Sequence, residues 1–279
     1  MNRRVGVVLL TAVVGGAAVT GCGNRQSAFA AVHTAGPKTT AAHTARVVLA
    51  ITVQGVSGVP AGSGGVRSSG AFDFTGHKGH LTVETGAMKL ETVMIGTTIY
   101  EKVPPQLAQG AAAGKPWIKL DLADAGKLTG VDLGGLSQES SGDPSQSLAL
   151  LEGASKNVVK LGSDTVRGAA TTHYRAAIDP KLAAERAPAA QKQAVQRLSG
   201  IFDDQTVPVD VWIDAEGRVR KMTYALDLKA VHLPGPAAGL QGTLESTFEA
   251  YDFGVPVDAT APPPDQVTDV AALVKTGMG

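Results

Sequence analysis

Cys22 is the residue whose position most clearly implies a reaction. It is the single cysteine of the 279-residue chain and follows Val19-Thr20-Gly21. An apolar residue, two small residues and a cysteine form the bacterial lipobox pattern. The small residues let a signal peptidase approach the backbone, and the thiol carries a diacylglycerol. Upstream, Arg3 and Arg4 form a short basic segment, and Val5 to Val19 is uncharged. That apolar run suits a secretory leader and is short for a spanning helix, which needs about 20 apolar residues.

Other reactive groupings are sparse. His77-x-x-His80 is the one close histidine pair. It spans a glycine-containing turn with Lys78 inside it and no carboxylate adjacent in sequence, so it reads as a solvated hairpin tip, not a metal site. Asp203-Asp204 and Asp121-x-x-Asp124 pair carboxylates without a neighbouring base and read as surface. Gly62-Ser63-Gly64-Gly65 is neither a nucleophile elbow nor a phosphate loop, because no Lys-Ser/Thr follows. No catalytic residue, metal or cofactor is assigned, and the chain is read as non-enzymatic.

The elements that must position anything else are mostly strands. In Arg46 to Gln54, Val47, Leu49, Ile51 and Val53 fall on one face at period two. Ala71–Thr75, His80–Glu84, Met88–Ile95, Thr97–Lys102 and Trp117–Asp121 follow, separated by turn residues such as Thr85-Gly86. Asn157 to Asp179 reads as two strands around Gly162-Ser163-Asp164. Val207–Ile213 and Val219–Lys229 flank the turn Asp214-Ala215-Glu216-Gly217, and Gln241–Phe253 supplies a last strand. Helix signals are Asp143-Pro144 and Asp179-Pro180, each an Asp cap with Pro at the first helical position. The second is read as running to about Phe202, interrupted at Pro188.

Composition agrees. Lys+Arg and Asp+Glu are both 25, so no basic field exists to hold nucleic acid. Aromatics are 4%, while Gly numbers 34 and Pro 15, which favours short strands and many turns. The organisation expected is a lipoprotein signal peptide at 1–21, a flexible tether at 22–42, a folded domain at 43–254 and a proline-rich tail at 255–279.

Pro208-Val209-Asp210-Val211-Trp212-Ile213-Asp214-Ala215-Glu216-Gly217-Arg218-Val219-Arg220-Lys221-Met222 resembles actinobacterial lipoproteins of the LppX/LprAFG type, within the LolA/LolB-like group. The lipobox, Gly114-Lys115-Pro116-Trp117-Ile118-Lys119-Leu120-Asp121 and the tail after Tyr251-Asp252-Phe253 add to the likeness. It implies an α+β fold: a strongly curved antiparallel β-sheet, a half-barrel, with helices covering its concave face. In that group the space between sheet and helices holds acyl chains. The implied partners are a lipid or glycolipid ligand, the membrane through Cys22, and alternatively another envelope protein. The implied location is the extracytoplasmic face of the cell membrane. The residues expected to line the cavity are Phe72, Phe74, Leu81, Val83, Met88, Leu90, Met94, Trp117, Trp212, Met222, Tyr224 and Phe248.

Replacing Cys22 by Ala is expected to abolish incorporation of labelled fatty acid into the protein. Label that persists in Cys22→Ala contradicts the lipobox assignment.

Overall fold

A computed structural model describes residues 21–56, 65–121, 143–187, 192, 196, 199–200, 202, 205–231 and 241–270. Helix α1 (Gly21–Thr40) leads into strand β1 (Thr44–Gln54). Then come β2 (Gly65–Asp73), β3 (Lys78–Thr85), β4 (Met88–Ile95) and β5 (Thr98–Lys102), followed by the short helix α2 (Pro105–Ala111) and β6 (Trp117–Asp121). Helix α3 (Pro144–Ala149) continues into a 3₁₀ turn, Leu150–Gly153. The second half contains β7 (Val159–Val166), β8 (Ala169–Ile178), helix α4 (Pro180–Arg186), β9 (Val207–Ile213), β10 (Val219–Asp227), β11 (Thr243–Tyr251) and β12 (Val267–Asp269).

All twelve strands join one open sheet in the order β12-β6-β5-β4-β3-β2-β1-β11-β10-β9-β8-β7. Every neighbouring pair is antiparallel except β12 with β6. The pairing of β1 with β11 joins two meandering wings, Arg46 opposite Tyr251 at one end and Gln54 opposite Thr243 at the other. Open twisted sheets of this width curl, because each strand is rotated against the last. The α+β class with a curved antiparallel sheet and helices on one face is what the sequence led us to expect.

The helices cover the inner face of the β7–β10 wing. α1 packs on β7, β8, β9, β10 and α3, and α4 packs on the 3₁₀ turn after α3. One apolar cluster joins Val32, Ala35, Leu148 and Leu151 of the helical layer to Phe72, Leu81, Met94, Val209, Val211, Met222 and Phe248 of the sheet. Gly36 marks a tight crossing: a Cβ there would lie 2.6 Å from the Leu148 carbonyl oxygen. The two predicted caps are present. The Asp143 carboxylate accepts from Ser145 N at 2.8 Å, and that of Asp179 from Lys181 N at 2.9 Å.

Three expectations need correction. Residues 22–42 are not a flexible tether, because α1 buries Ala28, Val32, Ala35 and Thr39 on one stripe. Gly162-Ser163-Asp164 is not a turn. The strand runs through it with a register irregularity at Lys160/Gly162, and the chain reverses at Arg167-Gly168, both at positive φ. The tail from 255 is not wholly separate, because β12 pairs with β6 and the Thr268 hydroxyl donates to the Ala112 carbonyl at 2.6 Å. As the interruption at Pro188 led us to expect, the helix after Asp179-Pro180 ends at Arg186 and residues 192, 196, 199 and 200 are helical again; Pro188 itself lies outside the described residues. The leader, residues 1–20, also lies outside them.

The β9–β10 turn is fixed by a buried carboxylate. Asp214 accepts from the amides of Glu216 and Arg218 at 3.1 and 2.8 Å, and from Nε of Arg218 and Arg220 at 3.0 and 2.7 Å. Both guanidinium groups stack on Phe253 at the end of β11, 4.3 and 4.8 Å from its centroid. Gly217 adopts φ 82°, and a Cβ there would meet Lys38 Nζ at 2.7 Å, so the turn also abuts the end of α1. Burial alone would raise the Asp214 pKa, but the Arg218 amide and the two guanidinium groups outweigh it and hold the carboxyl below its ordinary value. A carboxylate with a depressed folded pKa stabilises above its unfolded pKa and stops doing so as pH falls through the folded one. Asp214→Asn is therefore expected to cost about 2 kcal/mol near neutral pH, since two partly buried guanidinium groups lose their shared buried carboxylate, Arg218 keeping only the exposed Glu216. It is also expected to flatten the acid limb of stability, as read by urea unfolding between neutral pH and the acid range. An unchanged acid limb contradicts this account.

Candidate functional site

Cross-strand register sorts the expected lining residues by face, because directly opposed residues project to the same side. One row crosses the sheet as Leu90, Val83, Ser68, Leu49, Phe248, Met222 and Val211. A parallel row reads Met88, Thr85, Val66, Ile51, Ser246, Tyr224 and Val209. Phe248, Met222, Val211 and Val209 belong to the cluster under α1, so both rows lie on the inner face.

Burial divides those rows. Toward β9–β11, and at the Ala45–Val47 end of β1 with the adjoining ends of β2–β4, the inner face is filled: Met222 and Phe248 are 1% exposed and sit in the packed cluster with Phe72, Phe74, Leu81 and Met94. These six are core, not the wall of a hollow. Toward the Gln54 end of β1 and the adjoining ends of β2–β4 the same face opens. Leu49, Ile51, Val83 and Leu90 are half-buried, while Val66 and Met88 are 43% and 50% exposed. Tyr224 is half-buried against the cluster's margin. Beyond it a cleft of about 390 Å³ lies between β10 and β11, lined among others by Leu226, Lys229 and Gly242.

Both tryptophans fall on the other face. Trp117 is opposite Lys102, whose Nζ lies 5.5 Å from its ring centroid; Lys102 is of opposite parity to Ile99, which packs on the inner cluster. Trp212 alternates with the core residues Val211 and Ile213. It stacks on His173 at 4.1 Å, lies under Lys221, and donates from Nε1 to the Asp164 carboxylate at 2.8 Å. Its outward position corrects the lining assignment. The period-two alternation already implied it, and the apolar character of Trp overrode that signal.

Leu49, Ile51 and Val66 complete the open wall and were not among the expected residues. Leu49 and Ile51 were recognised as one face of a strand, but β2 was placed six residues late, at Ala71, so the role of Val66 was missed.

The two close histidines serve different partners. His77 Nδ1 lies 3.3 Å from Asp143 at the cap of α3, and His80 Nε2 lies 3.2 Å from Glu91. The hydrogen bond to Asp143 raises the His77 pKa, against the opposing effect of burial. The pair thus ties a hairpin to a helix cap on one side and to the next strand on the other. Among the described residues no group of three or more His, Cys, Asp or Glu could hold a metal ion, and no helix is long and apolar enough to cross a membrane. Asp121 accepts from the Thr98 hydroxyl at 3.2 Å. Asp124, Asp203-Asp204 and Gly62-Ser63-Gly64 lie outside the described residues. Cys22 stands in the first turn of α1.

No family model matches the sequence. An uncharacterized 31.2 kDa protein of Streptomyces griseus, encoded in the rplA–rplJ intergenic region, is 29% identical over 175 residues. That match covers 59% of this chain and 51% of the relative, so the chain spans about half the relative's length. Among solved structures, the lipoprotein LppX of Mycobacterium tuberculosis is similar at TM-score 0.46 and 14% identity, over 84% of this chain and 98% of LppX. LprF of Mycobacterium bovis gives 0.45 and 17%, over 85% and 97%.

Proposed function

We propose that this chain is a lipoprotein anchored through Cys22 at the extracytoplasmic face of the cell membrane. There it binds a hydrophobic ligand, a lipid or glycolipid, without transforming it. The observation that supports this most is the open apolar wall of Leu49, Ile51, Val66, Val83, Met88 and Leu90. These residues continue the inner-face rows that α1 covers further along the sheet. Two of its members, Val66 and Met88, are among the few large hydrophobic residues left exposed. The flexible thioether of Met88 suits a surface that takes chains of varying shape.

The work done is desolvation. Each methylene removed from water contributes about 0.8 kcal/mol. Half of a sixteen-carbon chain laid on the wall would therefore contribute about 6 kcal/mol before ordering costs. No proton transfer or nucleophile is required, and the described site residues offer none.

Binding of a fluorescent fatty-acyl probe tests the reading. Leu90→Asp and Val83→Asp are expected to weaken binding at least tenfold, because each places a charge where the chain would lie. Trp212→Ala, on the opposite face, is expected to leave binding unchanged. Thermal melts of each variant separate lost binding from lost folding. Binding that survives both wall substitutions in folded protein, or that falls with Trp212→Ala alone, contradicts the proposal.

A further inference from the structure

Next to the open wall, two polar groups on the inner face have no partner among the described residues. Thr92 lies in β4 two residues from Leu90, hence on the same face, and is directly opposite Glu101 of β5. Thr92 is 6% exposed, and its buried hydroxyl has no hydrogen-bond partner. Glu101 is half-buried. Across the sheet it faces Thr92 and Ile118, and Ile99 and Val103 flank it along its own strand on the same side.

The surrounding charges are spent elsewhere. Lys102 and Lys119 project from the other face, where they bind Glu91 at 2.8 Å and Asp269 at 3.1 Å. Burial alone pushes the Glu101 carboxyl up from its ordinary pKa, with no cation opposing it. Buried polar groups in native proteins are normally satisfied. An orphan hydroxyl beside an uncompensated carboxyl, at the edge of a wall already open to a ligand, suggests that the missing partner is the ligand.

We infer that Thr92 and Glu101 read the ligand's head group, accepting an uncharged head that carries hydroxyls and rejecting a phosphate. The inference rests on the lipid-binding reading above and adds the polar end of the same site. A ligand hydroxyl donates to the Glu101 carboxyl and accepts from the Thr92 hydroxyl, satisfying both. A phosphate placed there would meet a carboxyl with no neighbouring cation in apolar surroundings, where like charges repel strongly. A site built to hydrogen-bond a hydroxyl discriminates far better than an apolar pocket does, because its own groups go unpaired with the wrong ligand.

Two lipids with identical chains, dioleoylglycerol and dioleoyl phosphatidic acid, supply the test, each displacing the fluorescent acyl probe from the chain carrying Cys22→Ala. The unsubstituted site is expected to take dioleoylglycerol about tenfold more tightly than the phosphatidate. Thr92→Val, nearly isosteric, is expected to weaken dioleoylglycerol several-fold while leaving the acyl probe bound. Glu101→Gln is expected to keep dioleoylglycerol and to strengthen the phosphatidate about tenfold, erasing the preference. Equal affinity for both lipids in the parent, or a preference unchanged in both variants, overturns the head-group assignment and leaves the lipid-binding reading standing. If neither the probe nor either lipid binds the parent, both readings fail together.

Discussion

The packing of α1 into the concave side of the sheet is the constraint on which the rest depends. Val32 and Ala35 are wholly buried, and Gly36 lets the helix cross the backbone of α3 without a Cβ in the way. Its last turn is locked by Thr39. That hydroxyl donates to the Ala35 carbonyl at 2.6 Å and accepts the Val219 amide at 2.8 Å, both buried. Val219 sits where β9 and β10 shift register, so its amide needs a partner outside the regular ladder. Thr39 supplies it, and Asp214 with its two arginines fixes the adjoining turn. The helix, the hairpin and the end of β11 are thereby one mechanical unit.

This unit decides where a ligand can and cannot sit. Because α1 and α3 pack into the same apolar cluster as the sheet, Phe72, Met94, Met222 and Phe248 pack against protein instead of lining a void. The described helices pack mainly on the other wing, and toward the Gln54 end of β1 the same residue rows emerge partly exposed. A curved sheet half-filled by its own helices presents an apolar wall at the margin of its core, with Thr92 and Glu101 as its polar neighbours. In the proposed anchoring, the helix would also set the protein's attitude to a membrane. Cys22 lies in its first turn, and a helix of 20 residues is about 30 Å long. An acylated Cys22 would hold the domain through a helix continuous with its core, not through a loose leash.

Much of the sheet was legible because period-two alternation and glycine turns are local signals. Val207–Ile213 and Val219–Asp227 fell where their alternation placed them, and Asp143 and Asp179 announced their helices through cap chemistry. What escaped was set by tertiary contact. In α1 the buried stripe of Ala28, Val32, Ala35 and Thr39 follows helical spacing. Its members are small, and the strand of Gly, Ser, Thr and Pro around it reads as linker until a sheet is present to bury the stripe. The turn at Arg167-Gly168 was misplaced because Gly162 is a glycine within a strand irregularity and gives the same local signal as a hairpin tip. The site was half legible: apolar identity found Val83, Met88 and Leu90, but could not separate wall from core. Trp117 and Trp212 were drawn in by residue type, although register puts them outside. Thr92 and Glu101 carry no sequence signal, because their isolation is a property of the folded face.

Native-state hydrogen exchange of α1 amides tests the central claim most directly. If the helix is integral to the sheet, the amides of Val32, Ala35 and Thr39 exchange with opening free energies close to that of global unfolding. They do so in the Cys22→Ala chain without any membrane. Exchange of those amides at nearly unprotected rates, while β9 and β10 remain protected, would show a helix detached from the core and contradict the account.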